Sequence, residues 1–136
     1  MKFIFLGPPG AGKGTLAAEA AKYHGIPHIS TGDMFRTAIK KHTVLGEKIQ
    51  RVINSGSLVD DETTAALVKE RLAQKDALNG FILDGFPRTI TQAQILETFC
   101  TLDAVVDFDI SDKAVIERLS GRRLCPSCGK SFHIEF

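Results

Sequence analysis

The chain opens with the apolar run Lys2 to Leu6, which breaks at Gly7. A short continuous apolar run closed by glycine reads as a strand buried on both faces, as in a parallel sheet. Glycines and prolines interrupt the pattern as far as Thr15. LAAEAAKYHG then has the composition of a helix, with Gly25 as its stop and Pro27 just beyond. Ile26 to Ser30 suits a second short strand, and Thr31 to Gly56 predicts two short helices, DMFRTAIKKH and LGEKIQRVIN. Asp60 or Asp61 caps the next helix, DETTAALVKERLAQ, with apolar positions at Ala65, Leu67, Val68 and Leu72 and acids in its first turn.

After the turn Asn79-Gly80, Phe81-Ile82-Leu83 reads as a buried strand ending at Asp84. A helix around Thr91 to Phe99, a strand from Ala104 to Ile110, and a helix KAVIERLS complete the pattern. Ser111 or Asp112 caps that last helix and Gly121 stops it. Strands alternating with helices predict an α/β fold with a parallel sheet and right-handed crossovers. Past Gly121 the character changes to turn residues around a Cys-x-x-Cys, and the chain reaches Phe136 in what reads as a new strand. Nothing there closes a domain, so the sequence is expected to end inside an element.

Composition changes this picture little. The 136 residues are 43% apolar and 24% charged with a net charge of +1, which fits one soluble domain and excludes disorder. So even a balance gives no global pull toward nucleic acid or an anionic membrane. No apolar run approaches the roughly 18 residues that span a bilayer, and the apolar start is too short for a signal peptide. Three cysteines do not make a disulfide scaffold, which points to a reducing, cytosolic setting.

The strongest chemical signal is GPPGAGKGT, Gly7 to Thr15. It fits the phosphate-loop template G-x-x-x-x-G-K through Lys13, with Gly14 at the usual Ser/Thr position and the hydroxyl one place later at Thr15. Glycines let consecutive backbone N–H groups curl around a phosphate, the helix start adds partial positive charge, and Lys13 adds a full one. A plain turn needs neither a lysine at this spacing nor three glycines. The second signal is FILDGFPR, Phe81 to Arg88. Asp84, at the carboxyl end of a buried strand, can hold Mg²⁺ through its waters or simply serve the turn. Gly85 and Pro87 bend the chain, and Arg88 leaves the bend either as a surface residue or as a bidentate phosphate ligand.

GPPGAGKGT, STGDMFR (Ser30 to Arg36) and LDGFPRTITQA (Leu83 to Ala93), in this order, resemble adenylate kinases over essentially all 136 residues. The resemblance implies a P-loop NTPase-type parallel sheet with flanking helices. It divides the chain into a core with the phosphate loop (1–29), a small helical AMP-binding subdomain (30–59), further core (60–121) and the start of a lid (122–136). Gly10, Ala11, Gly12, Lys13, Gly14 and Thr15 would hold the ATP phosphates, with Arg118 and Arg122 also on ATP. Thr31, Ser57, Leu58, Val59, Gly85, Phe86, Pro87 and Gln92 would surround AMP, while Arg36 and Arg88 grip its phosphate. The family continues past this length with a second cysteine pair, more lid arginines, a fifth strand and a terminal helix. Residues 1–136 alone are therefore expected to be poorly stable and nearly inactive. A cytoplasmic monomer is implied, taking ATP, AMP and ADP but no nucleic acid or membrane.

The residues themselves suit phosphoryl transfer between nucleotides. An acceptor phosphate carrying about −1.5 to −2 charges needs no strong base, and no convincing base or nucleophile constellation is present. It needs two anions aligned and their repulsion overcome, which Lys13, Arg36, Arg88, Arg118 and Arg122 with Mg²⁺ would supply. Gln92 can match the donor and acceptor edge of adenine, or stand as an exposed helix residue. A related UMP/CMP-type kinase, or an ATP-binding module without turnover, are the rival readings. Cys125-x-x-Cys128 resembles half of a zinc-binding lid, whose other pair would lie downstream, although free thiols or a redox pair have the same spacing. His133 is a third ligand or, as the family pattern implies, a hydrogen-bonding lid residue. Cys100 reads as packing, Lys40-Lys41 as a solvated helix face, and His24, His28 and His42 carry no assigned role.

Overall fold

A computed structural model describes residues 1–135. Its main sheet has four parallel strands, β1 (Lys2–Leu6), β2 (His28–Ser30), β3 (Phe81–Asp84) and β4 (Ala104–Asp107), in the spatial order β2-β3-β1-β4. The helices that link them are α1 (Lys13–His24), α2 (Thr31–Lys40), α3 (Val44–Asn54), α4 (Asp61–Leu72) and α5 (Ile90–Glu97). α6 (Asp112–Ser120) leads into a separate antiparallel pair, β5 (Arg122–Leu124) and β6 (Ser131–His133). The α/β parallel architecture read from the alternation is what forms. Phe136, where the sequence suggested a new strand, lies outside the described residues.

Period-two alternation divides β1 and β3 between two cores. Ile4, Phe81 and Leu83 pack on one face with Ile29 of β2, Ala65 and Val68 of α4, and Leu96 of α5. Phe5 and Ile82 face the other way, against Ala17 and Ala21 of α1. Both faces of the central strands are thus covered, as a parallel sheet requires. β4 differs: all four of its residues are exposed, and α6 buries no residue. It is also shorter than the Ala104 to Ile110 run suggested.

The two short helices expected from Thr31 to Gly56 pack as a pair. Gly46 of α3 sits against the Ala38 carbonyl of α2, too close for any side chain, so glycine sets how tightly the helices approach. Both cap ambiguities resolve toward the first candidate. Asp60 accepts the Thr63 N–H at 2.7 Å and Ser111 accepts the Ala114 N–H at 3.3 Å. Each has the extended backbone that a capping residue needs. No helix among the described residues is long and apolar enough to cross a membrane.

Candidate functional site

All four parallel strands end at one edge of the sheet, where such folds bind ligands. At that edge residues 7–12 join β1 to α1. The N-cap of α1 is Gly12, at φ 91° and ψ 9°, a left-handed conformation that only glycine adopts without strain. No side chain caps the helix, so its first-turn N–H groups, which have no partner within the helix, stay available. Gly14 and Thr15 are exposed there. The other five α-helices start on Ser30, Thr43, Asp60, Thr89 and Ser111, each accepting a backbone N–H of its own helix.

Lys13 folds back along the loop, its Nζ donating to the Gly7 carbonyl at 2.8 Å and the Pro8 carbonyl at 2.9 Å. Burial lowers the pKa of its ammonium; Asp84 opposes that, and Arg88 and Arg122 add to the lowering. Residues 71 to 109 positions away are thereby in electrostatic reach of the loop. From α6, Arg118 reaches the same loop and donates to the Gly10 carbonyl at 3.2 Å. Arg122 also donates from Nε to the Ser131 hydroxyl at 3.1 Å across the β5–β6 pair.

Asp84 ends β3 with its side chain only 14% exposed, and His28 Nε2 lies 3.2 Å from its Oδ2. Sequence reasoning assigned His28 nothing. The signal is the pairing of Ser30 with Asp84 and of His28 with Ile82, which sets His28 and Asp84 diagonally on one sheet face. Asp84 stands beside Gly14, where an added Cβ would come within 3.7 Å of Oδ2. A carboxylate at the sheet edge next to an open helix start is a hard oxygen donor placed to hold Mg²⁺ through water, so the residues fit that ion.

The bend after Asp84 is tied together by one carbonyl. Gly85, at φ 83°, accepts from Arg88 Nε at 2.8 Å and from the Thr31 hydroxyl at 3.1 Å. Phe86 is fully buried, so its side chain serves the core and only its backbone faces the bend. Pro87 is half-buried and follows a cis peptide. Gln92 is 5% exposed, which excludes the reading of an exposed helix residue. Its Oε1 accepts the Arg88 N–H at 2.8 Å and its Nε2 donates to Asp61 Oδ1 at 2.9 Å. Asp61 is the second residue that sequence reasoning passed over, having weighed it only as a cap.

Other candidates stand apart. Arg36 is exposed and hydrogen-bonded to Asp33 on its own helix. With Lys40 it lines an open groove of about 450 Å³ toward residues 125–129. Ser57 and Leu58 are exposed between α3 and α4, Leu58 at 93%, while Val59 is half-buried.

Cys125 and Cys128 occupy the turn between β5 and β6, closed by Cys125 N–H to the Lys130 carbonyl and Gly129 N–H to the Cys125 carbonyl, both 2.9 Å. Backbone N–H groups of Cys128 and Ser127 lower the Cys125 pKa and favour its thiolate. These two sulfurs fit half of a tetrahedral zinc site. Among the described residues no third His, Cys, Asp or Glu joins them. His133 instead packs on Gly121 and accepts the Glu135 N–H at Nδ1, 3.1 Å away. Cys100, its pKa raised by burial, packs against the core as expected.

The charges around the loop carry a chemical consequence. Arg88 and Arg122 are two cations that each act on the Lys13 ammonium, with the Asp84 carboxylate as the opposing charge. Such a cluster beside open helix N–H groups is complementary to a polyanion.

Known proteins share the pattern. A family model described as adenylate kinase matches residues 5–131. An adenylate kinase from Treponema denticola is 66% identical over all 136 residues, which span 65% of that protein. One from Treponema pallidum is 53% identical over the whole chain and 64% of its own length. One from Moorella thermoacetica is 52% identical over the whole chain and 65% of its own length. The chain thus spans just under two thirds of the relatives it matches. An uncapped glycine-lined helix start, an acid closing the neighbouring strand and a family match through nearly all of the chain agree, and the chain belongs to the adenylate kinase family.

Proposed function

We propose that this chain carries the nucleotide-binding core of a kinase that catalyses ATP + AMP = 2 ADP. The observation that carries the reading is the cluster of Lys13, Arg88 and Arg122 beside the uncapped start of α1. In this reading the first-turn N–H groups of α1 and the residues Gly10 to Thr15 bind the ATP phosphates, and Lys13 turns from its carbonyl partners onto them. Arg118 and Arg122 hold ATP from the α6 side. Arg88 and Arg36 take the phosphate of AMP, with Arg36 leaving Asp33 to do so. Thr31, Ser57, Leu58, Val59, the 85–87 bend and Gln92 surround its base and sugar.

No residue need act as a base, because the acceptor phosphate is already an anion. The residues bind, align the two polyphosphates and offset their repulsion, and electrostatic positioning of this kind is most of phosphoryl-transfer catalysis. Mg²⁺, when bound through water at Asp84, neutralises phosphate charge further. Zinc in the intact protein would take Cys125 and Cys128 as two of four ligands. Helices α2 and α3, packed on each other, support a separate AMP-binding unit over 30–59 between core segments 1–29 and 60–121, with 122–136 beginning a lid. A cytoplasmic setting without a nucleic-acid partner accords with the near-neutral charge and free thiols, and a monomer is what the family resemblance implies.

The test is a coupled assay on the full-length protein with ATP and, in turn, AMP, UMP, CMP and GMP. AMP-dependent ADP formation is expected to exceed that with every other acceptor. Preference for another base removes the adenylate assignment, and ATP binding without AMP-dependent turnover makes this a binding module.

A further inference from the structure

Gln92 is buried, yet its side-chain amide is not symmetric in its surroundings. The two ends of a glutamine amide have nearly the same shape, so a half-turn exchanges donor for acceptor. Here each end meets a partner able to play one role only. The Arg88 backbone N–H only donates and stands 2.8 Å from Oε1. The Asp61 carboxylate only accepts and stands 2.9 Å from Nε2. We propose that Asp61 is a specificity-determining positioning residue, whose carboxylate fixes which way the Gln92 amide faces and thereby which purine it accepts. The proposal rests on the reading of Gln92 as the contact to the acceptor base.

Asp61 is free for this task because Asp60 already caps α4 through Thr63. With both ends held, the amide has one acceptor lone pair and one N–H left, in a fixed order. Adenine carries an N6–H donor beside the N1 acceptor, which matches that order. Hypoxanthine, the base of IMP, carries an O6 acceptor beside an N1–H donor, the reverse pattern, and fits only a flipped amide. A flip would set the amide carbonyl against the Asp61 carboxylate and the NH₂ against the Arg88 N–H. At a position 5% exposed, little water can relieve two like-to-like contacts. Removing the carboxylate leaves a single partner opposing the flip.

Isothermal titration of the full-length protein with AMP and with IMP tests this, with ATP affinity as a control for folding. Asp61→Ala should lower the preference for AMP over IMP by about ten- to a hundredfold. Asp61→Asn, whose own amide can turn to donate to a flipped Gln92 carbonyl, should lose the preference nearly as far as Asp61→Ala, which separates the acceptor-only carboxylate from the mere presence of a polar partner. Should Asp61→Ala fail to fold, Asp61→Ser, suited to a helix's first turn but too short to reach the amide, makes the same comparison. An unchanged AMP-to-IMP ratio, or equal loss for both nucleotides, overturns the proposal while leaving the acceptor reading intact. A wild-type protein that binds IMP as well as AMP overturns the acceptor reading and this proposal with it.

Discussion

The molecule starts two of its helices in opposite ways. α4 begins on Asp60, whose carboxylate takes both the N–H and the hydroxyl of Thr63 at 2.7 Å. α1 begins on Gly12, which has no side chain to offer, and its first turn carries no acid. Every α-helix presents the same unpaired N–H groups and the same partial positive charge at this end. α4 uses them for its own stability. α1 forgoes about 1 kcal/mol of capping and leaves them open, as the proposed phosphate binding requires. An empty cap position is informative here because it recurs in no other α-helix among the described residues.

The largest break in that comparison comes from Lys13, the full charge at the open start. Lys13→Ala is expected to cut turnover of the full-length protein by at least about a hundredfold, near 3 kcal/mol of transition-state stabilisation. Its urea midpoint should move far less, since the ammonium's partners are two part-buried loop carbonyls outside the apolar core. Turnover within tenfold of wild type would mean that the phosphates bind elsewhere.

Gly12→Ala addresses the backbone of the same turn. At φ 91° a Cβ strains the chain, by about 1–2 kcal/mol in the left-handed region. Urea unfolding should record that loss together with weaker ATP binding, because the N–H groups shift as the strain relaxes. At the closed start, Asp60→Ala should lower stability by about 1 kcal/mol and leave ATP affinity as it was. A loss of ATP affinity there would erase the distinction between the two ends.

These contrasts also explain what the sequence discloses. The open end is local: strand, glycines, lysine and helix lie within residues 2 to 24, and a contiguous pattern reveals them. His28 beside Asp84 and Asp61 beside Gln92 are not local, since each pair spans 31 residues or more and exists only after β2 meets β3 and α4 meets α5. Gln92 illustrates the difficulty. Its polar side chain next to Thr91 resembles a solvent-facing position until α4 closes over it. The exposure of β4 is likewise unreadable from AVVD, because burial depends on what lies alongside the strand, not on its own residues. The cap of α4 could be narrowed to two adjacent acids, but choosing Asp60 needed its backbone angles.

The smallest effect asks whether charge, and not shape alone, closes α4. Thr63 holds the Asp60 carboxyl below the ordinary value of 3.8 through its hydroxyl and its N–H. A carboxyl whose pKa falls on folding stabilises the native state above its unfolded pKa and loses that contribution as pH drops through the folded one. Asn caps helices as well as Asp but carries no charge, so Asp60→Asn isolates the electrostatic part, about 0.3–1 kcal/mol at an exposed helix start. Urea midpoints of the two proteins should differ by a constant amount above about pH 5 and converge below about pH 4. α1 has no acid in its first turn to produce such a dependence. A difference that persists undiminished at low pH would show that the Asp60 side chain closes α4 by its shape, and the contrast between the two helix starts would then lie in geometry alone.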